Sequence, residues 1–142
     1  MAGYSGTPLV KKLGIKPDFA VAFVNAPENF VKQLDLPGSV KIKSIVKSRD
    51  IDFILLFVKT RSLLTKYFAQ CAHKLKTNGM LWVSWPKQAS GQPTDLNGNI
   101  VRDIGLAGGL VDVKVCAVDE VWSGLKFVYR LEDRAKLKST NN

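Results

Sequence analysis

Apolar residues fill Phe19–Val24 and Ile51–Val58 almost without interruption, with Asp52 the one break in the second run. Such runs predict central strands covered on both faces. Met80–Trp85 predicts another strand. Val40–Val46 starts by alternating apolar and polar residues, which predicts a strand with one wet face near a sheet edge. Lysines there discourage edge-to-edge association. Between the strands the period changes. Leu63, Leu64, Tyr67, Phe68, Cys71 and Leu75 recur at three and four, one face of a helix running to about Lys76 and ended by Asn78-Gly79. Leu96, Ile100, Ile104 and Ala107 form a second stripe, capped by Thr94 or Asp95 and closed by Gly108-Gly109. Two short helices are predicted as well. Thr7–Gly14 has a capping threonine, Pro8 in its first turn and a glycine to end it; Pro27–Leu34 turns Phe30, Val31 and Leu34 inward. Strands from Val111 to Glu120 and Leu125 to Leu131, joined by a hairpin turn at Trp122-Ser123-Gly124, complete the pattern. The fold class predicted is α/β: a three-layer, Rossmann-like, mainly parallel sheet with an antiparallel C-terminal hairpin. Residues 1–131 make one domain, and the polar, basic tail 132–142 is expected to be disordered.

Length and composition narrow the function classes. A chain of 142 residues, 46% apolar, suits a single domain with a real core. No apolar run approaches the roughly 20 residues that span a bilayer. The opening Met1-Ala2-Gly3-Tyr4-Ser5-Gly6 lacks the basic and apolar regions of a signal peptide, which predicts a cytoplasmic protein. Cys71 and Cys116 then read as reduced, small, buried hydrophobes. A net charge of +9, from 21 Lys and Arg against 12 acids, favours anionic partners: nucleic acid, a phosphorylated small molecule or an acidic protein. The cations are scattered, with denser stretches at Lys41-Lys43-Lys47-Arg49, Lys59-Arg61-Lys66 and Arg134-Lys136-Lys138. None has interleaved aromatics to stack on bases, so a solvated basic surface accounts for them more simply than a dedicated site.

Chemistry in an open parallel sheet collects outside the carboxyl ends of its strands. Those ends supply Asn25, then Lys59-Thr60-Arg61, Trp85-Pro86-Lys87, and Asp119-Glu120 with Trp122. Lys59, Arg61 and Lys87 would surround an anion, helped by the helix N-terminus after Thr60, and Trp85 would stack on a planar group. The competing reading makes Lys59 and Arg61 solvated turn residues, Trp85 core, and Asp119 and Glu120 partners of nearby cations. Adjacent strand residues face opposite ways, so Asp119 and Glu120 do not form an acid/base pair unless the chain bends. The lone His73 lies on the polar side of its helix, and one histidine leaves no basis for a His-based zinc site or a Ser-His-Asp triad. The turn after the first strand reads Val24-Asn25-Ala26-Pro27-Glu28. Nucleotide-binding folds of this kind carry glycines there, so that the backbone can approach a phosphate or cofactor. Pro27 also removes an N–H donor.

From Ile51 onward the chain resembles the second half of a class I S-adenosylmethionine-dependent methyltransferase. Leu75-Lys76-Thr77-Asn78-Gly79-Met80-Leu81 is similar to the segment before that family's fifth strand, and Gly109-Leu110-Val111-Asp112-Val113 with its hairpin to the family's closing strands. The first half departs from the family: the glycine motif is absent, Val46-Lys47-Ser48 offers no ribose-binding acid, and one helix–strand unit before Ile51 is missing. The resemblance therefore implies the fold without the cofactor or the activity. Along its whole length the chain resembles a family of small bacterial proteins of unknown function. The resembling residues are Ala2–Leu9 with Lys11–Ile15, Val24–Pro27, Leu81-Trp82-Val83 with Trp85-Pro86-Lys87, Val115–Glu120 and Trp122–Leu125. That resemblance implies a bacterial cytoplasmic protein. The leading expectation is a non-enzymatic binding or regulatory module on a degenerate methyltransferase-like scaffold, with no cofactor and no metal. The alternatives are a small-anion-binding protein or enzyme using the strand mouth, and a nucleic-acid binder acting through the basic surface.

Overall fold

The computed structural model describes residues 8–134. Helix α1 (Leu9–Leu13) is ended by Gly14 at φ 91°, and strand β1 (Ala20–Val24) follows. Thr7, the expected cap of α1, lies outside the described residues. Pro27–Leu34 does not form a full helix; it contracts to a 3₁₀ turn at Val31–Gln33, with Phe30 buried beneath it. The wet edge strand is also short. Only Lys41–Ile42 (β2) pairs, and both residues are exposed.

Strand β3 (Ile51–Phe57) is buried at every position but Asp52. That carboxylate accepts the Ala20 N–H at 2.9 Å and pairs with Lys76 at 3.2 Å, clamping the amino ends of the parallel strands. Helix α2 (Arg61–Lys74) stops two residues before Lys76 and passes straight into β4 (Leu75–Pro86). Asn78-Gly79 is therefore not a helix stop. A Cβ on Gly79 would sit 2.9 Å from the Asp52 carbonyl oxygen and 3.0 Å from that of Ile51, so the glycine serves a close strand approach, where the β3–β4 register shifts.

Helix α3 (Gly98–Ala107) is capped by Asn97, whose side chain accepts the Ile100 N–H at 2.9 Å, in place of Thr94 or Asp95. Gly109, at φ 96°, closes it. Strands β5 (Leu110–Ala117) and β6 (Trp122–Tyr129) form the hairpin, and its turn is Val118–Val121. Trp122, Ser123 and Gly124 belong to β6. A Cβ on Gly124 would lie 3.1 Å from both Trp82 and Val118, so this too is a packing glycine. Of the expected tail, residues 132–134 continue in a helical turn, with Arg134 donating to the Tyr129 carbonyl; residues 135–142 lie outside the described residues.

The sheet order is β2-β1-β3-β4-β6-β5. The first four strands run parallel; β6 is antiparallel to both its neighbours, β4 and β5, so β5 shares the direction of the first four. This is the mainly parallel, Rossmann-like α/β sheet with a reversed C-terminal hairpin. One core layer, with Ile54, Leu56, Phe68, Leu81 and Phe127, lies under α2 and α3. The other, with Leu13, Phe30, Phe53, Phe57 and Trp82, lies under α1 and the segment after β1. Cys71 and Cys116 are free thiols packed in opposite layers. Cys71 is fully buried, which pushes its thiol up to about 12, whereas Cys116 is only half-buried, more open than expected. Among the described residues no helix is long and apolar enough to cross a membrane.

Candidate functional site

At the carboxyl ends of β1 and β3 lies a cleft of about 500 Å³. Its construction follows from how each strand is left. Asn25 leaves β1 at φ 59°, the left-handed conformation that asparagine tolerates better than most residues, and Pro27 forms part of the wall. Phe57 and Val58 reach the cleft from β3, and Lys59 projects from the turn beyond. The first two turns of α2 contribute Leu63 and Tyr67, and the loop after β4 contributes Gln92. Trp122 closes the side nearest the hairpin. Its indole meets the Phe57 ring edge-on at 5.0 Å between centroids, and Phe57 meets Phe30 at 4.9 Å. These aromatic contacts make a rigid apolar floor.

Asn25, Lys59 and Trp122, three of the residues taken from the sequence, meet in this cleft. The others lie elsewhere or serve the frame. Thr60 caps α2 by accepting the Leu63 N–H at 3.2 Å. The Arg61 N–H donates to the Asp95 carboxylate at 2.8 Å, and the Arg61 side chain reaches the Asp95 carbonyl at 3.5 Å. The start of α2, expected to receive an external anion, thus already holds one from the chain itself. Thr94 reinforces this by donating to the Lys59 carbonyl at 2.6 Å. Trp85 does not offer a ring face; it is 7% exposed, in the core layer beneath α2 and α3. Lys87 is half-buried, and its backbone N–H binds the Val121 carbonyl at 2.7 Å.

Asp119 builds the hairpin. One oxygen accepts the N–H groups of Val121 and Trp122, each at 2.8 Å, which sets the direction in which Trp122 enters the cleft. Glu120 is exposed. Asp119→Ala should lower stability by about 1–2 kcal/mol through the lost charge-assisted bonds. It should also loosen the Trp122 side chain, read as a drop in near-ultraviolet circular dichroism; an unchanged signal would separate Asp119 from the placement of the indole.

Tyr67, Leu63 and Gln92 are cleft residues that the sequence does not single out. Leu63 and Tyr67 belong to the apolar stripe of α2, where spacing marks them as core. The available signal is their place at the start of the stripe, where the helix overhangs the strand ends. Leu63 is accordingly 42% exposed.

S-adenosylmethionine, the cofactor of the methyltransferases that the chain resembles, is a sulfonium cation with a ribose diol and an amino-acid end that carries an ammonium and a carboxylate. The cleft lining contains no carboxylate, and its one charged group is the Lys59 ammonium. Pro27, in the cleft wall, offers no N–H. This donor set does not fit that cofactor. Among the described residues no cluster of His, Cys, Asp or Glu is placed to hold a metal ion.

No protein-family model matches the chain, and no curated protein matches it. Solved structures do. A TehB-like SAM-dependent methyltransferase from Corynebacterium glutamicum superimposes with TM-score 0.58 at 9% identity, over 86% of this chain and 85% of that one. A SAM-dependent methyltransferase from Aquifex aeolicus gives 0.59 at 16% identity, over 84% and 86%. The 1,6-didemethyltoxoflavin-N1-methyltransferase of Burkholderia thailandensis, solved with 1,6-didemethyltoxoflavin and S-adenosylhomocysteine, gives 0.56 at 13% identity, over 84% and 73%. At these identities the likeness is one of fold, and the fold of this chain is that of the SAM-dependent methyltransferases.

Proposed function

We propose that this chain is a non-enzymatic binding module, cytoplasmic in a bacterium, built on a methyltransferase scaffold whose cofactor site has been lost. Its cleft takes a small planar molecule of neutral or anionic character. The observation that carries this reading is the lining itself: an aromatic floor of Phe57 and Trp122, Tyr67 at the wall, Lys59 at the rim and no carboxylate. Such a surface desolvates a flat apolar body and offers a cation to an acidic substituent. The sulfonium and ammonium of a methyl donor find no carboxylate partner in this lining.

A thermal-shift screen tests the reading. S-adenosylmethionine should leave the melting temperature unchanged, while planar carboxylates, aromatic phosphates or nucleotides should raise it. A ligand at about 100 times its dissociation constant adds roughly 2.7 kcal/mol. That corresponds to a rise of about 8–10 °C for a domain of this size. Lys59→Ala should abolish the rise while barely moving the melting point of the free protein, since Lys59 is exposed; Tyr67→Ala should abolish it too but also lower that melting point, because the ring packs against the core layer under α2 and α3. A rise with S-adenosylmethionine, followed by transfer of its methyl group to any acceptor, would overturn the proposal in favour of an enzyme.

A further inference from the structure

The hairpin carries a second charged feature, on the sheet face covered by α1. In the ladder Lys114 of β5 stands directly opposite Lys126 of β6, and Lys126 opposite Trp82 of β4. Opposed residues of an antiparallel pair share a face with their Cβ atoms about 5 Å apart, and like charges so placed repel. The end of α1 is seated on this row. The Trp82 indole N–H donates to the Leu13 carbonyl at 2.9 Å, and the Lys114 ammonium donates to the Lys12 carbonyl at 3.2 Å. That seating brings Lys12 and Lys16 beside the hairpin lysines. The Lys126 ammonium is held below its ordinary value by burial first, then by Lys114 and Lys16. Lys12 and Lys114 both act on the Cys116 thiol, although burial still raises it. Among the described residues the ion pairs are Lys76–Asp52 and Arg102–Asp112, and neither involves these four lysines.

We propose that Lys12, Lys16, Lys114 and Lys126 form a nucleic-acid-binding surface that contacts the phosphate backbone. Like charges gathered from α1, the segment after it, β5 and β6, with no carboxylate paired to them among the described residues, cost the free protein self-repulsion, which a polyanion laid across the row removes. Lys16 and Lys114 are exposed, so the row is open to an extended polyanion. The aromatic within it, Trp82, is fully buried, so no ring is free to stack on a base and contacts stay with phosphates, independent of sequence. A membrane surface fits less well. The exposed Val115 stands opposite Leu125, whose side chain belongs to the layer under α2 and α3, so it faces away from the lysines.

The test is binding of a labelled oligonucleotide of about 20 nucleotides by the full chain, single-stranded and duplex, followed by anisotropy across a salt series. The logarithmic affinity should fall against logarithmic salt with a slope of about −3, near what four phosphate contacts give. Lys114→Glu with Lys126→Glu should weaken binding by about 20-fold or more and flatten the slope by roughly two. Lys41→Glu with Lys43→Glu, on the β2 edge, removes the same net charge and should weaken binding no more than about 3-fold. Lys114→Gln with Lys126→Gln should weaken binding while keeping or raising the melting temperature, which separates lost contacts from lost folding. Cys71 is buried and inert, so thiol labelling of the native protein reads Cys116, and bound oligonucleotide should slow it. Equal weakening by the two glutamate pairs, unchanged Cys116 labelling, or binding to polyglutamate but to no oligonucleotide would each overturn the proposal.

Discussion

A Gly105→Ala variant should melt about 8 °C below the wild type, although alanine is the better helix former. Gly105 is buried in α3, and a Cβ there would overlap the ring of Phe127. Phe127 has no exposed surface and no room to retreat, because it meets Phe68 edge-on at 5.3 Å between centroids. Phe68 is itself boxed in: a Cβ on Gly108 would come within 2.6 Å of it. Overpacking of this kind costs roughly 1–3 kcal/mol, and at this close approach the upper end applies. The helix-propensity gain of about 1 kcal/mol offsets part of it. The net, about 2 kcal/mol, is some 8 °C for a domain of this length. Gly98→Ala is the matching control. At the exposed first position of the same helix, a Cβ would meet only Trp85, at 3.8 Å. It should leave the melting point unchanged or raise it by about 2 °C. Equal shifts of the same sign from the two variants would mean that α3 is not seated on the sheet at contact distance.

The glycines also show where sequence and structure part. Strands β1, β3 and β4 and the stripe of α2 are legible because burial on both faces, or on one helical face, writes a period into the apolar residues. Gly79 and Gly124 look like punctuation in the same text. The sequence pattern reads one as a helix stop and the other as part of a hairpin turn, yet both are strand residues kept small by a neighbour across the sheet. A turn and a close contact make the same demand, the absence of a Cβ, and only the partner from a distant segment tells them apart. The site divides in the same way. Strand ends are a local property of the chain, and they bring Asn25, Lys59 and Trp122 to the cleft. Whether a side chain beyond a strand end turns toward the ligand depends on what else claims it. Asp95 claims the start of α2 from 34 residues away, and with it Arg61. The lysine row is less legible still, since Lys12 and Lys114 are 102 residues apart and neither lies in one of the three denser basic stretches.

Trp82→Phe should cost about 3 kcal/mol, lower the melting point by some 10 °C, and free one end of the molecule selectively. Trp82 has no exposed surface, and among the described residues its N–H is the one side-chain donor to the Leu13 carbonyl. Phenylalanine leaves that carbonyl unpaired in the core, a penalty of roughly 1–3 kcal/mol, and adds the cost of the missing ring volume, about 1 kcal/mol. Trp85→Phe sets the scale for the volume effect alone. Trp85 is nearly as buried, and its indole makes no hydrogen bond among the described residues. It should cost about 1 kcal/mol. The two variants should differ in place as well as in size. Amide exchange in residues 9–15 should quicken in Trp82→Phe, because the Leu13 carbonyl loses the indole bond that helps seat α1, and stay protected in Trp85→Phe. Lys12 and Lys16 travel with that segment. Oligonucleotide affinity should therefore fall in Trp82→Phe with every lysine intact, and hold in Trp85→Phe. If affinity holds while α1 loosens, the hairpin lysines suffice and α1 contributes only to stability. If α1 stays protected, the indole bond is dispensable, and the convergence of lysines from α1 and the hairpin must rest on the apolar contacts of Leu13 and the Lys114–Lys12 carbonyl bond.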